Sequence, residues 1–380
     1  MPRNLACAVA TAALFATGCV AAAISDSGER KTSPAAISEG EYTSMIAGLR
    51  PPKRQRPIVA VLGANEGSET TDFLLPLAVL RESKAADVFA VGTSRGTLTL
   101  MPALKVRVDL STADFDARHP DGADYVIVPA LHRPDDPAVL AWIQEQSAKG
   151  ATIVAICSGA KVISNAGLLK DRAGTGHWMD MESLKKQNPS MRWVPNRRYV
   201  VDRGVVTTTG VAASAPISLA LVEAFAGRKR ASEVAASLNV PDWAPTYRSG
   251  MFSLKLNLPT IIGNKLAFWK HETLGIPVAD GVDDIALALK SDAYSRTYRS
   301  RAVTLSDTPV WTKHGVRLLP DLPAKANVTH TLTTSANDGG FAALDRALSD
   351  ISARYGAKTA NWVATQMEYP GFVSPKLAAG

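Results

Sequence analysis

Short apolar runs separated by stretches of helical periodicity constrain this chain more than any other feature. Ile58-Val-Ala-Val-Leu62 is a continuous apolar run of strand length, the kind buried on both faces of a parallel sheet. Asp87 to Val91, Tyr125-Val-Ile-Val-Pro129 and Thr152-Ile-Val-Ala-Ile156 read as further strands. Thr71 to Arg81, Pro137 to Lys149 and Ala160 to Ala166 carry helical periodicity, and Gly150 stands where a helix stops before the next strand. Strands alternating with helices specify an α/β fold, a parallel sheet sandwiched by helices. A hairpin, Tyr199-Val-Val-Asp-Arg-Gly204-Val-Val-Thr-Thr208, leads to a last helix from Ala213 to Phe225. The core therefore spans 57–228.

At 380 residues the chain exceeds one average domain. The remainder, 229–380, reads as a C-terminal extension with an aromatic-containing loop from Trp243 to Phe252 and a helical stretch from Phe341 to Tyr355. It shows no internal repeat and no helix-turn-helix pattern. Ahead of the core, 24–56 is polar and proline-containing and reads as a linker with one short helix from Glu39 to Leu49. Residues 1–23 run from a basic start (Arg3) through an apolar stretch (Leu5 to Phe15) to small residues, the order of a secretory signal. Gly18-Cys19 fits a lipoprotein cleavage site, so Cys19 is a candidate membrane tether. The expected location is periplasmic or otherwise exported. Beyond that segment no stretch approaches the roughly 18 apolar residues of a membrane span.

Of the three cysteines, Cys7 and Cys19 lie in the signal-like segment and Cys157 alone remains in the globular part. No intramolecular disulfide can form there. The thiol is either an inert small hydrophobe or a reactive group. The net charge of +7 is dispersed. Its densest cluster, Lys53-Arg54-Gln-Arg56, reads as part of a solvated tether near a membrane surface rather than a nucleic-acid site. His271, His314 and His330 have no ligand spacing, so neither a metal nor a cofactor is inferred.

Ala155-Ile-Cys157-Ser-Gly-Ala160 places the remaining cysteine directly after a buried strand and before a helix of small residues. This is the pattern of a nucleophile elbow, whose strained backbone projects the side chain and whose helix N-terminus favours thiolate. Gly159 and Ala160 are small where the turn needs close approach. Together with Asn165-Ala-Gly-Leu-Leu169, Arg172 and His177-Trp178, this segment resembles the ThiJ/PfpI superfamily. The likeness is greatest to the class I amidotransferase-like domain of AraC-type regulators and isonitrile hydratases. The resemblance covers 57–228 and implies a flavodoxin-like sheet and a homodimer.

The resemblance also implies site residues. Asp72-Phe-Leu-Leu-Pro76 matches the family's acid four residues before a proline, which hydrogen-bonds the cysteine. A protonated carboxyl beside a thiolate can donate a hydrogen bond and then act as general acid or base. Otherwise Asp72 caps a helix starting near Phe73. His177 occupies the place of the family's histidine. Oxyanion or pocket amides would come from Ala130, Leu131 and Ser158. Two departures stand out: Ala130-Leu131 replaces a glycine pair, and Pro216 stands where an aspartate would support the histidine. Asn65, Glu66 and Glu69 crowd acids into the first loop, where they either line the pocket or, as the better reading, solvate it. Asp292-Ala-Tyr-Ser-Arg-Thr297 and Glu368-Tyr-Pro370 resemble extensions of exported relatives, with no chemistry assigned.

These residues leave three functions open. One is a cysteine-dependent hydrolase or lyase acting on a small electrophilic molecule, of hydratase, lyase or amidase type. The second is a small-molecule or redox sensor without turnover. The third, an AraC-type regulator fragment, lacks the helix-turn-helix.

Overall fold

The computed structural model describes residues 37–372 apart from 241, 253, 255, 256 and 333–338. The segment 1–23, with Cys19, and the first part of the 24–56 linker lie outside the described residues. Through the first half run α1 (Glu39–Gly48), β1 (Ile58–Gly63), α2 (Thr70–Glu82), β2 (Asp87–Gly92), the short β3 (Leu110–Ser111) and β4 (Tyr125–Val128). Then come α3 (Pro137–Ala148), β5 (Thr152–Ala155), α4 (Gly159–Asn165), the hairpin β6 (Tyr199–Asp202) and β7 (Val205–Thr208), and α5 (Ser214–Ser237).

The strands form one seven-stranded sheet in the order β6-β7-β5-β4-β1-β2-β3. All neighbours are parallel except β6 and β7, where Tyr199 lies opposite Thr208. Alternate residues of each apolar run face opposite layers. Val59, Val61, Ile127 and Val154 pack in one cluster with α2 and α5, while Ala60, Leu62, Val126 and Ile153 pack in the other with α3 and α4. Both faces are covered, which is why these strands are apolar at every position.

The second half supplies α6 (Leu258–Leu266), β8 (Glu272–Pro277), α7 (Asp284–Ser295), β9 (Ser300–Leu305), β10 (His330–Thr331), α8 (Ala342–Tyr355) and α9 (Ala357–Gln366). β8 pairs in parallel with β9 and with β10. This half is not a separate body, since the described residues fall in one compact unit. α2 is buried at every position from Thr70 to Leu80 because α7 covers it as well as α5. Arg317 and Leu318 pair antiparallel with Arg107 and Val106, which stitches the halves together.

Three expectations need correction. Residues 39–56 are not a free tether: Leu49 is fully buried, and the Tyr125 hydroxyl donates to its carbonyl (2.6 Å). Lys53 and Arg54 donate backbone N–H groups to the buried Asp124 carboxylate, and the Arg54 guanidinium pairs with it at 2.9 Å. A buried carboxylate requires such partners, and that requirement ties down the basic cluster. The helix expected to end at Phe225 runs on to Ser237, with Gly227 (φ 84°) breaking it into two. Finally, Val211–Ser237 is long and apolar enough to cross a membrane by length and composition, although most of its apolar window is buried in the core.

Candidate active site

The elbow forms where β5 ends. Ile156 still donates to Val128 O (2.9 Å), but Cys157 adopts φ +57°, the left-handed region that non-glycine residues enter only when their surroundings compel it. The surroundings here are Thr209 O and the Thr208 hydroxyl, both 3.1 Å from the Cys157 amide. The chain then enters α4 at Gly159. A Cβ at that position would lie 2.1 Å from Val128 O, so only glycine lets the helix approach the sheet this closely.

The residue that caps α2 is Glu69. Its side chain accepts from the Asp72 amide (2.5 Å) and from the Thr71 hydroxyl (2.9 Å). Asp72 is thereby freed from capping and is fully buried. It accepts from the Ala130 amide (3.3 Å) and the Ser214 hydroxyl (3.4 Å). Ala130 N–H is thus committed to Asp72 rather than to an oxyanion. Leu131 is buried and bridged to Ser68, and the Ser158 hydroxyl bonds Asp180.

Glu69 is only 8% exposed, so it does not belong to a solvated loop; Glu66 does. The partner that permits its burial comes from the extension. Arg296 places Nη2 2.6 Å from Glu69 Oε1 and Nε 2.6 Å from Asp292 Oδ1. Burial works against the charge of Arg296, but Asp292 and Glu69 outweigh it and hold its pKa above the usual value. The Cys157 sulfur also lies in the field of this guanidinium.

The electrostatics differ from those of a thiolate elbow. Burial, then Asp72, Glu69, Asp180 and Glu368, push the Cys157 thiol well above its ordinary pKa. The expectation of a resting thiolate is therefore corrected: burial first, and then four acids, oppose ionisation at this elbow. Asp72 is itself pushed well above the carboxylate range, first by burial and then by Glu69. Burial also raises Asp292, against the pull of Arg296.

His177 is 5% exposed and both ring nitrogens are engaged away from the sulfur. Nδ1 accepts from Met179 N–H (3.2 Å) and Nε2 faces Gln366 O at 3.0 Å, the arrangement of a ring that donates from Nε2. Beside it the extension delivers Glu368. This side chain is 1% exposed, accepts from Trp178 N–H (2.7 Å) and the Tyr247 hydroxyl (3.1 Å), and lies 3.9 Å from His177 Nε2. A carboxylate thus reaches the histidine although Pro216 occupies the place where one was expected. Gly210 makes room: a Cβ there would meet Glu368 Cγ at 2.9 Å and His177 Cδ2 at 3.0 Å.

Arg296, Asp292 and Glu368 were legible only as segments without chemistry. The signal was present in the i, i+4 spacing of Asp292 and Arg296 on one helical face, but nothing local indicates that this face reaches Glu69.

A mostly parallel sheet with a left-handed cysteine at the end of a central strand is the strand-to-helix elbow arrangement of an α/β fold. Residues 58–224 match the DJ-1/PfpI family, so this part of the chain is a domain of that kind. A deglycase of Thermococcus kodakarensis is 27% identical over 154 residues, which are 40% of this chain and 88% of that protein. An isonitrile hydratase of Pseudomonas putida is 29% identical over 117 residues, 30% of this chain and 49% of that protein. The structure of Drosophila melanogaster DJ-1beta covers 49% of this chain and 100% of its own length, with 23% identity and a TM-score of 0.44.

Proposed function

We propose that the domain attacks a small electrophilic carbon with Cys157, using Asp72 as the base that makes the thiol nucleophilic. The observation carrying this reading is the elbow conformation of Cys157 beside a buried acid whose pKa is raised. A thiol that is neutral at rest needs a base, and a carboxylate whose pKa is raised holds an abstracted proton more tightly than an ordinary aspartate. As sulfur bonds to carbon, Asp72 takes the Sγ proton. The π pair displaced from the carbon then receives that proton from Asp72, completing addition of S–H across the multiple bond. Water releases the product and restores the thiol. Isonitriles, which the similar isonitrile hydratase is named for and which carry an electrophilic carbon in a multiple bond, are the first substrates to assay. Cys157→Ser should abolish turnover and Asp72→Asn should lower kcat about 100-fold; full activity of Cys157→Ser would end this reading.

The geometry of His177 supports a second reading. A ring with both nitrogens occupied gives the thiol no second proton carrier, which suits a module that binds a ligand or is oxidised at Cys157 without turnover. Stoichiometric sulfenic or sulfinic acid formation by peroxide, with no turnover of any electrophile, would select it.

Export is also proposed, on the order of basic, apolar and small residues in 1–23, with Cys19 as the tether and the periplasm as destination. Mass spectrometry of protein from its native host tests it, and an intact Met1 on cytosolic protein would sink it.

A further inference from the structure

The helix α6 carries its apolar stripe outwards. Its inner face is largely polar: Asn264 donates to Thr297 O (2.9 Å) and to the Thr359 hydroxyl (3.1 Å), and Asn257 Oδ1 accepts from Asn361 (3.2 Å). Leu258, Ile262 and Leu266, spaced four residues apart and so stacked on one face, are 41%, 49% and 66% exposed. The turn that follows adds Phe268 (71%) and Trp269 (70%), edge to face with centroids 5.2 Å apart. Five of the seven exposed large hydrophobics among the described residues are gathered here, the others being Met179 and Trp311. Contiguous apolar surface of this kind marks an interaction site.

Along the segment itself the charges have one sign. From Asn257 to His271 the sequence contains no Asp or Glu, while Lys265 and Lys270 are exposed. Lys265 holds its ammonium 4.5 Å from the Tyr298 ring centroid, at the edge of the apolar stripe. We propose that α6 and the turn Phe268–Lys270 bind an anionic lipid surface, the Leu, Ile, Phe and Trp side chains entering the headgroup boundary and the lysines reaching phosphates. A second copy fits less well. A two-fold contact would bring an acid-free lysine-bearing patch against its own image, and the cores of protein interfaces are depleted in lysine. The inference is independent of the reaction at Cys157 and of any lipid on Cys19.

The test is sedimentation of the full chain carrying Cys19→Ser with vesicles of phosphatidylglycerol and phosphatidylethanolamine, or of phosphatidylcholine alone, alongside light scattering for mass. Binding should favour the anionic vesicles, weaken with salt, and fall at least tenfold in Leu266→Ser/Phe268→Ser/Trp269→Ser. Lys270→Gln, which leaves the apolar face intact, should lower anionic binding about fivefold. Equal vesicle binding by the triple variant and its parent would overturn the proposal. So would a dimer of the parent that the triple variant converts to monomer, which would show that a second copy covers the face.

Discussion

Arg296 Nη2 lies 2.6 Å from Glu69 Oε1 although 227 positions separate the two residues. Glu69 caps the helix that carries Asp72, so the extension holds the entrance of α2 in place through this ion pair. Removing the guanidinium leaves Glu69 and Asp292 buried without their cation, the situation in which a broken buried pair costs about 3–5 kcal/mol. Arg296→Gln should destabilise by about that amount in urea denaturation. In the Glu69→Gln background the same change should cost much less. Equal costs in both backgrounds would disprove the coupling.

Gly159 tests the elbow. A methyl group at this position meets Val128 O, a backbone atom of the central sheet that cannot rotate aside. Gly159→Ala should therefore cost about 1–3 kcal/mol or more as overpacking and displace Cys157, read as a lowered Tm with altered alkylation of the thiol. Gly204, open to solvent though left-handed (φ 75°), provides the comparison in which strain acts without a clash.

The sheet and the elbow were legible because strands buried on both faces must be apolar throughout, and because a strand-to-helix turn through cysteine needs a small residue two positions on. What could not be read depends on partners distant in sequence. Glu69 looks like loop acid until Arg296 arrives from α7, and Lys53 and Arg54 look like tether until Asp124 is buried beneath them. The thiolate expectation failed for the same reason. Local geometry favours ionisation, while burial opposes it, joined by four acids from α2, the α2 cap, the turn after His177 and the residues just past α9.

Glu368 should anchor the extension to the His177 loop. Its carboxylate accepts from Trp178 N–H and the Tyr247 hydroxyl, and Tyr247, pushed up by burial and then by Glu368, keeps its proton. Glu368→Ala leaves the Trp178 N–H without its acceptor, at about 1–3 kcal/mol, while the Tyr247 hydroxyl keeps the backbone carbonyl of residue 368 (2.8 Å). The expected result is lower stability together with faster hydrogen exchange at Trp178. Unchanged exchange would show that the loop is held by other contacts.

The pH dependence of Cys157 follows from the signs of the neighbouring charges. Its folded pKa is raised, so alkylation by iodoacetamide at pH 7 should be slower than that of a free thiol, whose pKa is about 8.5, and should still be climbing above pH 9. Asp72, when ionised, is one of the charges opposing thiolate, so Asp72→Asn should move the rate profile to lower pH. The same substitution bears on stability. Because the folded pKa of Asp72 is also raised, the native state binds its proton more tightly than the unfolded chain does. The stability from that proton is complete below the ordinary carboxylate range, near pH 4, and is lost as pH rises through the raised value. Asparagine carries no such proton, so Asp72→Asn should gain stability relative to the parent as pH rises through this window. A parent thiol that alkylates at pH 7 faster than free cysteine, or an Asp72→Asn variant whose relative stability does not change with pH, would show that the acids around Cys157 do not control it.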